Sequence, residues 1–302
     1  MNRRMFGKRL SGLALGASAL RPGLFAQTQT NARLPAAAVP FRFSVMLWTV
    51  YRELPFEERL QKMADAGYSN VELTGEFRNW TDDDFARAIA KRKALGITFD
   101  ATSGTRYGIG NPQDRDALLE DIKNILPTME KLDCPNLILL SGNVVPGLSR
   151  DQQHQSCIDG LKAAIALVEG KSINGQPVKL ILENIDPEEN PRYYLTSVAE
   201  GFEIMKAVEH PQVRFLYDLY HEQIAEGNLI EKLQKNLPYV AVIHVADVPG
   251  RHEPGTGEIN YTNIFKKLVE LKYDGMVAME FRPTGDPVAS LRAARELALS
   301  VA

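Results

Sequence analysis

Thiols are scarce in this chain: its 302 residues include two cysteines, Cys134 and Cys157. Two cysteines make neither a zinc site nor a disulfide framework, and nothing in the sequence supports a bridge between them. No basic block occurs beyond the first ten residues, and the net charge is −3. Phosphate binding needs a basic face, so nucleic acid is not the expected partner. The apolar run near the N-terminus, Leu10–Leu20, is too short to span a bilayer. No Gly-rich dinucleotide fingerprint follows the first apolar segment of the folded region, which weakens a doubly wound, open-sheet alternative.

What is present is an ordinary globular composition, 44% hydrophobic and 24% charged. The opening, "MNRRMFGKRLSGLALGASALRPGLFAQ", has a basic start, a weakly apolar run and a small-residue exit at Ala26. It fits a secretory signal, and Arg3-Arg4 followed by Met5-Phe6 and Lys8 resembles the twin-arginine export signal. The expected organisation is a signal peptide over 1–26, a spacer over 27–40 and one domain over 41–302. The expected location is the periplasm, reached already folded, with no stable membrane insertion after signal removal. Folding before export allows a chosen metal to be loaded in the cytoplasm. A homo-oligomer is left open.

From Phe41 onward, apolar runs alternate with amphipathic ones. Strands are expected at 43–50, 70–75, 97–104, 136–142, 178–185, 213–221, 240–247 and 276–281. Helices are expected near 55–67, 82–95, 116–132, 150–169, 198–208, 229–233, 261–275 and 287–300. Nearly continuous apolar strands are buried on both faces, so the sheet is parallel. Strand–helix alternation predicts an α/β fold. Eight such units in about 260 residues match a (β/α)8 TIM barrel.

Active sites of such barrels lie at the C-terminal ends of the strands. There the sequence offers Glu183 in "LILENID", Asp218 in "FLYDLYH", His244 in "VIHVAD" and Glu280 in "AMEFRP". Each follows apolar residues of the barrel wall, and a buried lone charge needs a partner or a metal. Three carboxylates and one imidazole on four consecutive strands suit one divalent ion, Mn²⁺ or Mg²⁺ or else Co²⁺. Separate ion pairs are the competing reading of the same residues.

A Gly-rich charged loop, "GRHEPGTGEINY" (250–261), follows the seventh strand and is expected to cross the barrel mouth. With "YDGMVAMEFRP" after it, it resembles hydroxypyruvate isomerase-like members of the sugar isomerase and epimerase superfamily of TIM barrels. That resemblance implies that Glu183, Asp218, His244 and Glu280 bind the metal and that Glu183 and Glu280 exchange protons with substrate. It implies that His221 and Arg251 contact substrate, and it offers Glu189 for the same task with Glu188 adjacent. The implied reaction interconverts hydroxypyruvate and tartronate semialdehyde through an enediolate. The implied partner is a small hydroxy-keto acid or sugar. Histidine at position 244 is commoner in the epimerases, so an exported keto-sugar epimerase, lyase or hydratase stays open, with a non-catalytic sugar-binding barrel behind it.

Other residues carry blander expectations. Trp48 walls the pocket or belongs to the core, and Glu72 forms an ion pair inside the barrel. Asn260 caps the helix beginning near Tyr261. "TDDDF" (81–85) starts a helix, with acids at its positive end. His154 is solvated, His210 ends a helix, and Glu258 is structural.

Overall fold

The computed structural model describes residues 38–302. The expected signal peptide (1–26) and residues 27–37 of the expected spacer lie outside the described residues. The strands are β1 (Arg42–Val45), β2 (Asn70–Leu73), β3 (Thr98–Thr102), β4 (Asn136–Leu140), β5 (Lys179–Glu183), β6 (Val213–Asp218), β7 (Val240–Val245) and β8 (Met276–Met279). Around the sheet they run β1-β8-β7-β6-β5-β4-β3-β2, all pairings parallel. The seam between β1 and β2 is spanned by a single parallel bridge, Met46 to Glu72, which leaves a nearly closed (β/α)8 barrel.

The connecting helices are α1 (Phe56–Asp65), α2 (Asp82–Leu95), α3 (Arg115–Leu132), α4 (Arg150–Val168), α5 (Val198–Val208), α6 (Leu219–Ala225), α7 (Leu229–Asn236), α8 (Tyr261–Glu270) and α9 (Pro287–Leu299). Local signals fix their starts. Thr81 and Ser149 each form a capping box with the side chain three residues on, and Asn260 accepts from Asn263 N–H at the head of α8.

Two strand ends are corrected. The first strand stops at Val45 and gives way to a 3-10 turn over Leu47–Thr49 rather than running to residue 50. The sixth strand does not run to residue 221. Asp218 Oδ1 accepts the N–H groups of Tyr220 (2.7 Å) and His221 (3.1 Å), so the chain turns into α6 immediately after the carboxylate. A short hairpin, Ser172–Ile173 paired with Gln176–Pro177, also precedes β5. Its turn is Asn174-Gly175, both at positive φ (49° and 74°), the conformation that Asn-Gly favours.

Side chains alternate along a strand, so every second residue faces the barrel interior. Ile138, Ile181, Leu216, Val242 and Ala278 form the apolar interior layer. The larger core lies between the barrel and its helices, where Phe202 of α5 packs on Phe215 with ring centroids 4.6 Å apart. Gly201 makes this approach possible, since a Cβ there would lie 2.5 Å from the Phe215 ring. Gly201→Ala should therefore destabilise the fold by about 1–3 kcal/mol in urea unfolding, through overpacking. An unchanged midpoint would contradict this packing.

Candidate metal centre

One step of two residues beyond the apolar layer stands a polar one. Glu183 follows Ile181, Asp218 follows Leu216, His244 follows Val242 and Glu280 follows Ala278. All four side chains are buried, and each offers a ligand atom within 4.8 Å of the others. His244 Nδ1 is 2.8 Å from Glu280 Oε2, 3.6 Å from Glu183 Oε1 and 3.9 Å from Asp218 Oδ2. Its other nitrogen, Nε2, lies 2.8 Å from Glu72 Oε2 of β2, itself fully buried.

The donor set fits a divalent cation. With metal–ligand bonds of about 2.0–2.2 Å, neighbouring ligand atoms stand ~3 Å apart and opposed ones ~4 Å apart. That is the spacing found around His244 Nδ1. Asp218 Oδ2 and His244 Nδ1 are also buried without a hydrogen-bond partner among the described residues, and both face the cluster. Buried polar atoms without partners are rare, and a cation would satisfy both of these. Oxygen-rich donors without thiolate suit Mn²⁺, Mg²⁺ or Co²⁺ better than a structural zinc.

The two glutamates differ in their surroundings. Burial, reinforced by the charges of Glu280 and Asp218, pushes Glu183 up against the opposing pull of His244. Burial would also raise Glu280, but Arg251 and His244 outweigh it and hold that carboxyl well below the usual range. Trp48 Nε1 donates to Glu280 Oε1 at 2.7 Å and Arg251 Nη2 donates to Oε2 at 2.7 Å. Trp48 is thus part of the site wall.

Arg251 reaches the mouth from the Gly-rich loop. Its guanidinium stacks near the rings of Trp48 and Tyr220 (5.4 and 4.9 Å to the centroids) and also pairs with Glu189 Oε2 at 3.1 Å. Arg251 itself has a positive φ of 57°. The loop is organised by the buried Asp247, whose carboxylate accepts the N–H groups of Val248, Gly255, Gly257 and Ile259 at 2.9–3.0 Å. At Gly257 a Cβ would lie 2.0 Å from the Val248 carbonyl oxygen, so only glycine fits. Glu253 ties the loop to the segment after β8 by accepting from Thr284 N–H (3.0 Å) and Oγ1 (2.7 Å). His252 Nδ1 lies 2.7 Å from the Arg282 carbonyl oxygen, and Glu258 accepts from Gln223. Neither His252, Glu253 nor Glu258 lines the cavity beside the metal cluster.

That cavity has a volume of about 210 Å³ and is lined by Trp48, Thr74, Leu140, Glu183, His221, Arg251 and Glu280, among others. His221 is buried, with Nε2 3.4 Å from Asp218 Oδ2 and Nδ1 2.5 Å from Asp186 Oδ2. Glu189 stands at the rim, where Tyr220 donates to it at 2.9 Å, and Glu188 only donates its N–H to Asp186. The structure therefore gathers all seven residues singled out from the sequence around one opening. It adds Glu72, Asp186 and Asp247, which were not assigned to the site. Glu72 and Asp186 meet partners distant in sequence, and Asp247 acts through backbone N–H groups of its own loop, so strand-end position alone does not reveal them.

The contacts of His221 have a measurable consequence. Burial would lower its pKa, but Asp218 and Asp186 outweigh burial and raise it from 6.5 to about 9. A raised imidazole stabilises the fold below its unfolded pKa, and that contribution is lost as pH rises through the folded value. In metal-free protein the His221 ring should titrate near pH 9 by NMR, and Asp186→Asn should lower the midpoint. A wild-type midpoint near 6.5 would contradict the assignment.

Comparison with known proteins gives three kinds of match. The family described as "Xylose isomerase-like TIM barrel" matches residues 60–299. The 2-oxo-tetronate isomerase of Haemophilus influenzae is 31% identical over 259 residues, 83% of this chain and 96% of the relative. The hydroxypyruvate isomerase of Escherichia coli is 26% identical over 256 residues, 83% of this chain and 97% of the relative. Among solved structures, a family 2 AP endonuclease from Brucella melitensis superposes with a TM-score of 0.74 at 27% identity, covering 83% of this chain and 96% of that one.

Proposed function

Because the chain belongs to the xylose isomerase-like TIM-barrel family, we propose that it is a metal-dependent isomerase of short 2-oxo hydroxy acids, hydroxypyruvate or a close relative. The carrying observation is the cluster of Glu183, Asp218, His244 and Glu280 beside a cavity that fits a small molecule. The relatives named as isomerases of hydroxypyruvate and of 2-oxo-tetronate support the reaction class. Both names describe 2-oxo acids.

Glu183, Asp218, His244 and Glu280 would hold the ion. When bound, a divalent ion supplies polarisation of a carbonyl and stabilisation of developing negative charge. The chain's own residues do the rest. Arg251 offers a fork of donors that matches a carboxylate. In the free site it is engaged by Glu280 and Glu189. A substrate carboxylate drawing Arg251 away would release Glu280 from the pairing that keeps its basicity low. Glu280 then takes the proton from the hydroxymethyl carbon of hydroxypyruvate, and the C–H electron pair forms the enediolate double bond. Glu183, the second carboxylate lining the cavity, relays that proton from Glu280 to the adjacent carbon, so both groups end ionised, as metal ligands must be. The hydroxyl proton moves between the two oxygens, and tartronate semialdehyde results. His221, fixed by Asp186, faces the cavity as a donor to a substrate oxygen.

One observation favours a second reading, an exported keto-sugar epimerase, lyase or hydratase. Arg251 is already satisfied by carboxylates, as a site for an uncharged sugar would permit. The Arg3-Arg4 pair supports export of the folded, metal-loaded protein to the periplasm, where sugars arrive.

Substrate proton exchange in deuterated water separates these readings. The Mn²⁺-loaded protein should incorporate deuterium into hydroxypyruvate, and Glu280→Gln should slow this by about 100-fold or more. Normal exchange by Glu280→Gln would remove the acid/base assignment. Exchange into a keto-sugar but not into hydroxypyruvate would establish the second reading.

A further inference from the structure

His244 is held from behind. Its Nδ1 faces the carboxylate cluster, while its Nε2 lies 2.8 Å from Glu72 Oε2, which reaches across the barrel interior from β2 to β7. Glu72 is 0% exposed and His244 1%. Glu72 also sits at the barrel seam, where its backbone makes the bridge to Met46. A carboxylate is an acceptor only, so the bond to Glu72 requires the proton on Nε2. When neutral, as a metal ligand must be, the ring then presents the Nδ1 lone pair to the cluster.

The ring could otherwise bind through either nitrogen, or turn away. We infer that Glu72 is a positioning residue that fixes the tautomer and orientation of His244 and thereby sets the metal affinity of the site. The inference rests on the metal reading above. The geometry supports it in two ways. Nδ1 faces Glu280 Oε2 (2.8 Å), Glu183 Oε1 (3.6 Å) and Asp218 Oδ2 (3.9 Å), the side a cation would occupy, so it is not free to anchor the ring once an ion is bound. The hydrogen bond to Glu72 is the one that anchors it. Imidazole ligands whose second nitrogen donates to a carboxylate are held in one orientation and made more basic, and loss of such a partner weakens metal binding by about 10- to 100-fold. Glu72 does not line the cavity, so its influence on substrate passes through His244.

The test is Mn²⁺ binding to full-length protein, measured by competition with a fluorescent chelator, for wild type, E72Q, H244Q and the double variant. Glutamine keeps the size of Glu72 and can still accept a hydrogen bond, but it removes the charge. Wild type should bind one Mn²⁺, and E72Q should bind it about 10- to 100-fold more weakly. The double variant should bind no more weakly than H244Q, because Glu72 acts through the imidazole. E72Q binding as tightly as wild type, or weakening H244Q by the same factor, overturns the inference. Absence of Mn²⁺ binding by wild type overturns the metal reading itself, so the two failures are distinguishable. A second measurement needs no variant. The long-range ¹H–¹⁵N spectrum of Mg²⁺-loaded wild type should show the His244 proton on Nε2, and a proton on Nδ1 would overturn the inference.

Discussion

Three carboxylates buried at one end of a barrel are the constraint on which the rest of the mouth depends. Each would cost several kcal/mol to bury alone, and their mutual repulsion grows as water is excluded. The chain supplies two partial remedies: His244 from β7 and Arg251 from the following loop. Among the described residues these leave Asp218 Oδ2 without a hydrogen-bond partner and place like-charged oxygens within 4.8 Å of one another. A divalent cation would complete the balance. The loop that delivers Arg251 is in turn fixed by Asp247, whose carboxylate takes four backbone N–H groups. The charged Gly-rich segment is therefore an ordered rim rather than a linker.

The mouth is two-sided. Strands β5 to β8 lead to acids and imidazole, whereas β1 to β4 lead to Trp48, Thr74, Ser103 and Leu140. A small ligand in this cavity has one charged wall and one uncharged wall of apolar and hydroxyl side chains. That asymmetry suits a proposed chemistry confined to two adjacent carbons, with Glu183 and Glu280 close to the reacting atoms. It also explains why Trp48 matters to both walls: its ring lies beside Arg251 and its N–H holds Glu280.

The barrel was legible because its signals are periodic. Pairs such as Ile181/Glu183 and Val242/His244 place an apolar residue and a polar one on the same interior face, and the sequence repeats that step on four strands. Helix limits were legible where caps are local, as at Thr81 and Ser149. The end of β6 was not, because apolar Leu219 and Tyr220 continue the run while the Asp218 side chain turns the backbone. The hairpin at 172–177 did carry a signal, Asn174-Gly175, inside a segment too short to stand out. The partners of Glu72 and Asp186 are not legible, for another reason. The bond from Glu72 to His244 spans 172 positions and that from Asp186 to His221 spans 35, so only the folded barrel shows them.

A cation would complete the buried carboxylate cluster. The most direct test is thermal unfolding of chelator-stripped protein across a Mn²⁺ titration. A ligand that binds only the native state raises stability in proportion to the logarithm of its concentration above Kd. The Tm of wild type should climb with Mn²⁺, and that of Asp218→Asn should stay nearly flat. A wild-type Tm indifferent to Mn²⁺, or an equal rise in Asp218→Asn, would contradict a cation at this cluster.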